Sequence, residues 1–176
     1  YKVDNKIVSA PHHFYSKVIN GISNNLKSSF KKYNFLLKED FGAIQFRSFF
    51  DYRYKNILDL PNFIEGFKGV IKNHPNIKNI FITSDSPAAI AFIKYSLEEY
   101  SKINFISSEF PQCSNCGRWA PKHSNFKPEK CSSLEDLRDW GILTQSNFIY
   151  SNHTSFSDSA SQIFSILHYI FEKPRK

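Results

Sequence analysis

Arg47 is the residue from which a chemistry can first be argued. It stands where the apolar run at 41–46 (FGAIQF) gives way to SFFD, so a short strand would end on a guanidinium. A planar guanidinium fork holds two oxygens of a phosphate or carboxylate at once, which suits an anionic ligand. The plainer reading is an arginine that ends a strand and faces water. Further polar groups fall where later strands run out: Thr83, Ser84 and Asp85; Ser107 and Ser108; and the stretch SNHTSFS at 151–157. Ligands of open parallel sheets bind outside the carboxyl ends of the strands. Convergence of these places on one edge is therefore stronger ground than any one of them. The last stretch joins a strand end, a turn and a helix start, where free backbone N–H groups and hydroxyls make an anion site. Ser155 and Ser157 would serve equally well as ordinary helix caps.

Other residues carry weaker signals. Asp139 falls at the end of a short helix expected over 134–140, where the helix dipole disfavours a carboxylate. It is expected to be solvated at the surface or paired, and the adjacent N–H donors of a guanine edge would suit it. Cys113, Cys116, His123 and Cys131 form a C-x2-C-x6-H-x7-C set. Zinc takes such ligands, but the spacing is not that of a familiar finger, and a disulfide within the loop or free thiols compete with it. Asn152-His153-Thr154 is a glycosylation sequon inside the candidate phosphate turn, where a glycan would block the site, so it is expected to be unmodified. His153 itself is read as a bystander, and His12 and His13 as surface residues. Trp119 and Trp140 are read as packing residues. The segment from Tyr52 to Lys55 mixes cations with aromatics and is read as a solvated loop, with stacking on a base or sugar as the alternative.

The bulk composition bounds the class of protein. At 176 residues, 41% hydrophobic and 16% aromatic, with eighteen Phe, the chain can bury a real core and is not disordered. Net charge is +7, but the basic residues are spread along the chain rather than clustered on one element. That spread argues against nucleic-acid binding and still favours an anionic substrate such as a nucleotide. No apolar run approaches the ~18 residues of a membrane span, and no signal-peptide pattern is present. The lack of methionine and the start at Tyr1 suggest a trimmed chain, with any targeting or anchoring segment lying upstream.

These residues must be positioned by strand–helix units. Residues 1–40 read as a lead-in and an amphipathic helix, with Phe14, Val18, Ile22, Leu26 and Phe30 on one stripe after Pro11. Strands are expected at 41–46, 79–83, 103–106 and 147–150. Helices are expected at 60–72, 88–100, 134–140 and 156–171, the third opened by a capping box at 132–135 and closed by Gly141. The loop at 48–59 is long for such a unit. Strands alternating with helices four times predict an α/β fold, a Rossmann-like parallel sheet flanked by helices, over 41–176.

Three blocks carry a resemblance: IQFRSFFD at 44–51, ITSD at 82–85, and DWGILTQSNFIYSNHTSFS at 139–157. In this order and spacing they resemble the GDP-fucose-binding C-terminal half of the fucosyltransferase superfamily with the GT-B architecture. That group includes protein O-fucosyltransferases and α1,2- and α1,6-fucosyltransferases. The resemblance implies a glycosyltransferase that moves fucose from GDP-fucose to a glycan or protein hydroxyl with inversion, requiring no cofactor or metal. Arg47 matches the arginine that contacts the donor diphosphate and helps the leaving group depart. Asp139 matches the acid that reads guanine. Thr154, Ser155 and Phe156 match the turn that holds the phosphates and packs near the sugar, and Ser157, Asp85 and Gln45 complete the implied donor site. Gln45 stands where several members have histidine and resembles the plant xyloglucan α1,2 type. The architecture also implies a second Rossmann-like half, for which residues 1–40 are too few, and an endoplasmic reticulum or Golgi lumen location, with any membrane anchor outside this chain. Two rival readings remain at this stage. One is a non-catalytic relic that binds nucleotide sugars or glycans, and the other is a basic zinc module that binds RNA.

Overall fold

The computed structural model describes residues 33, 36–47, 59–107, 133–152 and 154–171. The expected helix over 11–30, the 48–58 loop, the cysteine-rich segment and His153 lie outside them. Among the described residues five strands, β1 (Phe41–Phe46), β2 (Asn79–Ser84), β3 (Asn104–Ser107), β4 (Phe148–Ser151) and β5 (Leu167–Ile170), alternate with four helices, α1 (Leu60–Lys72), α2 (Pro87–Ser96), α3 (Ser133–Leu143) and α4 (Ser155–Phe164). The strands form one sheet in the order β3-β2-β1-β4-β5, and every pairing is parallel. The protein is thus an α/β domain with a Rossmann-like parallel sheet, as expected.

The side-chain period of a strand explains the two cores. On one face Ile44, Phe46, Ile80, Ile82, Phe148 and Tyr150 meet the apolar stripes of α1 and α2. On the other, Phe41, Ala43, Phe81 and Ile149 meet Ile142 and Leu143 of α3 and Ala160 of α4. Both sheet faces are therefore covered, which is why β1, β2 and β4 are buried along their whole length. Tyr33 and Leu36, just ahead of β1, are buried in the second core. The chain steps outward from β1 to β2 and β3 with helices on one face. It then returns past β1 to β4 and β5 with helices on the other, as crossovers of a single hand require.

The main departure from the sequence reading is at the C-terminal end. The helix expected over 156–171 stops at Phe164, and β5 follows it. Ser165 makes the stop by adopting a left-handed conformation (φ 54°, ψ 39°), a position usually filled by glycine. The apolar residues after it fit a helical stripe and a strand about equally, so a serine in this place hid the break. Helix α2 is also shorter than expected, ending at Ser96. In contrast, α3 runs through Gly141 to Leu143, because Gly141 lies within a helix whose tail is held by Thr144 Oγ1 and Gln145 Nε2 donating to its carbonyl, at 2.7 and 3.1 Å. Strand β4 ends at Ser151, one residue later than expected, which places Ser151 opposite Gln45 in the ladder.

Candidate functional site at the strand-order reversal

The strand order reverses between β1 and β4, and the crevice outside their carboxyl ends is the usual ligand position in sheets of this kind. Arg47 leaves β1 there, and β4 leads through Asn152 and Thr154 into α4. The two exits are tied together. Asn152 Oδ1 accepts from the Arg47 backbone N–H (2.9 Å), and Asn152 Nδ2 donates to the Arg47 carbonyl (2.8 Å). The Arg47 side chain is one-third exposed, and its Nε lies 3.4 Å from Oδ2 of Asp85, whose side chain is wholly buried. Asp85 therefore acts on Arg47, as a buried carboxylate beside the guanidinium that orients it.

Beneath this edge runs a row of buried polar side chains on the α3/α4 face. Thr83, Gln45 and Ser151 are register partners across β2, β1 and β4, and none is exposed. Each is matched by a group on the helices above. Thr83 Oγ1 donates to Asp139 Oδ2 at 2.7 Å, Thr154 Oγ1 donates to Gln45 Oε1 at 2.9 Å, and Ser157 Oγ donates to Ser151 Oγ at 2.9 Å. The Gln45 Nε2 group is buried with no hydrogen-bond partner among the described residues. The N-terminus of α4 is closed by a capping box: Thr154 Oγ1 accepts from the Ser157 backbone N–H (3.2 Å), and Ser157 Oγ accepts from the Thr154 N–H (3.4 Å). Thr154 and Ser157 thus both cap the helix and tie it to the sheet.

Asp139 is not the solvated acid that its expected position suggested. It is 1% exposed, one turn before the end of α3, with Oδ1 accepting from Arg138 Nε (3.2 Å) and Nη2 (3.0 Å). Arg138 is itself buried, with its guanidinium carbon 5.4 Å from the centre of the Tyr33 ring. A buried carboxylate needs such a counter-charge, and the pair pins α3 to β2 through Thr83. Phe156 is half-buried and packs against the second core. Ser155 opens α4, with its side chain outside the described set. Ser107 ends β3, two strands away from β1, and makes no hydrogen bond to the other site residues among those described. Convergence is therefore real for Arg47, Asp85, Gln45, Thr154 and Ser157, and does not extend to Ser107.

His168 was missed because its segment was read as helix. It is 8% exposed on β5, with Nε2 2.8 Å from Ser151 Oγ and Nδ1 3.1 Å from Ser161 Oγ and 3.8 Å from Asp158 Oδ1. Ser161 Oγ donates to the Asp158 carbonyl at 3.0 Å, so Nδ1 carries the ring hydrogen and Nε2 of the neutral ring accepts from the Ser151 hydroxyl. A serine, a histidine and an aspartate in this order suggest a nucleophilic triad, but Ser151 is fully buried inside the ladder and no substrate reaches it. The set is a polar tie from the α4 cap to the edge strand.

Among the described residues no group of three or more His, Cys, Asp or Glu is arranged to hold a metal ion, and Cys113, Cys116, His123 and Cys131 lie outside them. No helix among those residues is long and apolar enough to cross a membrane. A groove of about 440 Å³ opens at the opposite end of the sheet, near Lys72, His74, Lys78, Tyr100 and Lys102. Helix α1 ends there, and a cation in its last turn, Lys72, suits the negative end of the helix dipole. No protein-family model matches the chain, and no curated protein matches it.

Proposed function

We propose that this domain binds a nucleoside diphosphate sugar at the strand-order reversal and is the donor-binding half of a GDP-fucose-dependent fucosyltransferase. The observation that carries the reading is the tie, at the reversal between β1 and β4, of Arg47 at the end of β1 to Asn152, which leads into the N-terminal turn of α4. Arg47 and the helix start both favour phosphate, the guanidinium by charge and fork geometry and the helix start by the positive end of its dipole. The choice of GDP-fucose rests on the resemblance of the three sequence blocks described above. In this reading Arg47 stabilises the charge that grows on the β-phosphate as the bond to the sugar's anomeric carbon breaks. Asp85 keeps the guanidinium in place. An acceptor hydroxyl of a glycan or protein attacks from the opposite side, and its base comes from a second Rossmann-like half. Asp139 enters as the anchor of α3 behind the site, because both of its oxygens are already engaged. The lumen of the endoplasmic reticulum or Golgi is the compartment that goes with this donor.

Calorimetric titration of GDP-fucose, GDP and ADP into the wild type and Arg47→Ala tests the proposal. The expected result is binding of both GDP compounds and not of ADP, weakened at least ~10-fold in the variant, the equivalent of one charge-assisted contact. A folded sample with no guanine-selective binding, or one whose binding ignores Arg47→Ala, overturns it.

A further inference from the structure

The last rung of the β1–β4 ladder pairs Gln45 with Ser151, so the regular sheet has ended before Arg47. The Arg47 peptide groups are nevertheless paired as if the ladder continued, because the Asn152 carboxamide takes both the N–H and the C=O. A primary carboxamide is the side chain suited to this, since it offers an acceptor and a donor side by side. A residue beyond a strand end otherwise samples several φ/ψ wells and loses that freedom only when it is finally ordered. From this clamp we propose that Asn152 is a positioning residue: it fixes the Arg47 backbone in advance, so that the guanidinium waits at the crevice in its ligand-binding pose. The inference rests on the donor-site reading of Arg47.

The same nitrogen gives the proposal a second consequence. Asn152 is the asparagine of the Asn152-His153-Thr154 sequon, and Nδ2 is the atom to which a glycan would attach. In the folded chain that atom lies 2.8 Å from the Arg47 carbonyl on a half-buried side chain. A sugar there would take one of its two hydrogens and put a pyranose ring at the mouth of the crevice. The sequon is therefore bare in any molecule that binds its ligand through Arg47.

A double-mutant cycle with GDP as the probe separates positioning from a merely structural tie. Asn152→Ala is expected to weaken GDP binding about 10-fold, the fold-change matching two neutral hydrogen bonds that act on one pose. In an Arg47→Ala background the same substitution is expected to change affinity less than ~2-fold, because there is no guanidinium left to position. Hydrogen exchange read by NMR gives a ligand-free arm: the Arg47 amide should exchange faster by at least ~10-fold in Asn152→Ala, while the Ile44 and Tyr150 amides stay protected. Asn152→Asp, equal in size but unable to donate to the Arg47 carbonyl, repeats both arms if the alanine variant folds poorly. Additive losses in the cycle, undiminished GDP binding, or an unchanged Arg47 exchange rate would overturn the proposal. So would a glycan on Asn152, found by peptide mass spectrometry in the GDP-binding fraction of protein expressed through a secretory pathway. Failure of the wild type to bind GDP overturns the donor-site reading instead, and is told apart by an Arg47 amide that still depends on Asn152.

Discussion

Gly66 on α1 and Tyr150 on β4 form a pair whose coupling can be worked out from the packing. The Tyr150 ring is fully buried, and its hydroxyl donates to the Phe63 carbonyl at 2.8 Å. A Cβ on Gly66 would overlap that hydroxyl oxygen, while meeting Tyr150 Cζ and Phe171 Cδ2 at ordinary distances of 3.4 and 3.6 Å. Only the hydroxyl stands in the way. Gly66→Ala should therefore gain ~1 kcal/mol of helix preference and lose ~2 kcal/mol by displacing a buried, bonded hydroxyl, for a net loss of ~1 kcal/mol. Tyr150→Phe alone should lose ~1 kcal/mol, the net worth of one hydrogen bond. In the Tyr150→Phe background the obstacle is gone, and Gly66→Ala should then stabilise by ~1 kcal/mol, returning the double variant to wild-type stability. The coupling energy is thus about 2 kcal/mol, well above the scatter expected for independent sites. Urea unfolding of the four proteins, with equal slopes, gives the cycle from the midpoints. If Gly66→Ala destabilises equally in both backgrounds, the tyrosine hydroxyl is not what selects glycine at this position. The pair matters for the site because Tyr150 and Phe46 both pack on Phe63, at ring separations of 4.5 and 4.9 Å, directly before the strand ends that carry Asn152 and Arg47.

The other predictions are shorter. Asp139→Asn should lower stability by ~3 kcal/mol, because it removes the carboxylate charge beside the buried Arg138 guanidinium. A variant with unchanged thermal unfolding but lost guanine selectivity would instead favour the base-reading role. His74 is held below its ordinary pKa of 6.5 by burial, stacked on Phe148 at 4.2 Å with Nε2 3.0 Å from the Tyr169 hydroxyl. As pH falls below about 6.5 the unfolded chain takes up this proton before the folded one, so stability should decline from there until the lower folded value is passed. His74→Phe should flatten that part of the urea-midpoint profile, and an unchanged slope between about pH 7 and pH 5 would show that other groups set it. Together with the Arg47 and Asn152 titrations, these measurements probe the site, the tie beneath it and the core separately.

Local signals made much of the fold legible. The limits of α1 follow from Pro61 in its first turn and from the buried stripe Leu60, Phe63, Ile64, Phe67, Val70 and Ile71. The limits of β1 follow from a continuous apolar run that ends on a cation. Reading β1, β2, β3 and β4 with helices between them was enough to require a parallel sheet, because parallel neighbours need crossovers. What local signals could not supply was β5. Its residues suit either period, and the break before it depends on a serine held in a left-handed conformation that glycine would have advertised.

The candidate site divides in the same way. Residue type and position along the chain were enough to select Arg47, Asp85, Thr154 and Ser157, because strand ends and helix starts are local events, whereas Gln45 entered only through the family resemblance. They left Asp139 looking like a surface acid, and they gave no hint that Asn152 would hold the backbone of a residue 105 positions earlier. Burial and cross-strand pairing depend on which strands become neighbours. The sequence by itself determined that strands and helices alternate and which side chains stand at their ends. Only the tertiary structure decided that β4 lies beside β1. That adjacency brings Arg47, Asn152 and the start of α4 to one crevice, and its physical reason is the covering of both sheet faces by helices whose crossovers share one hand.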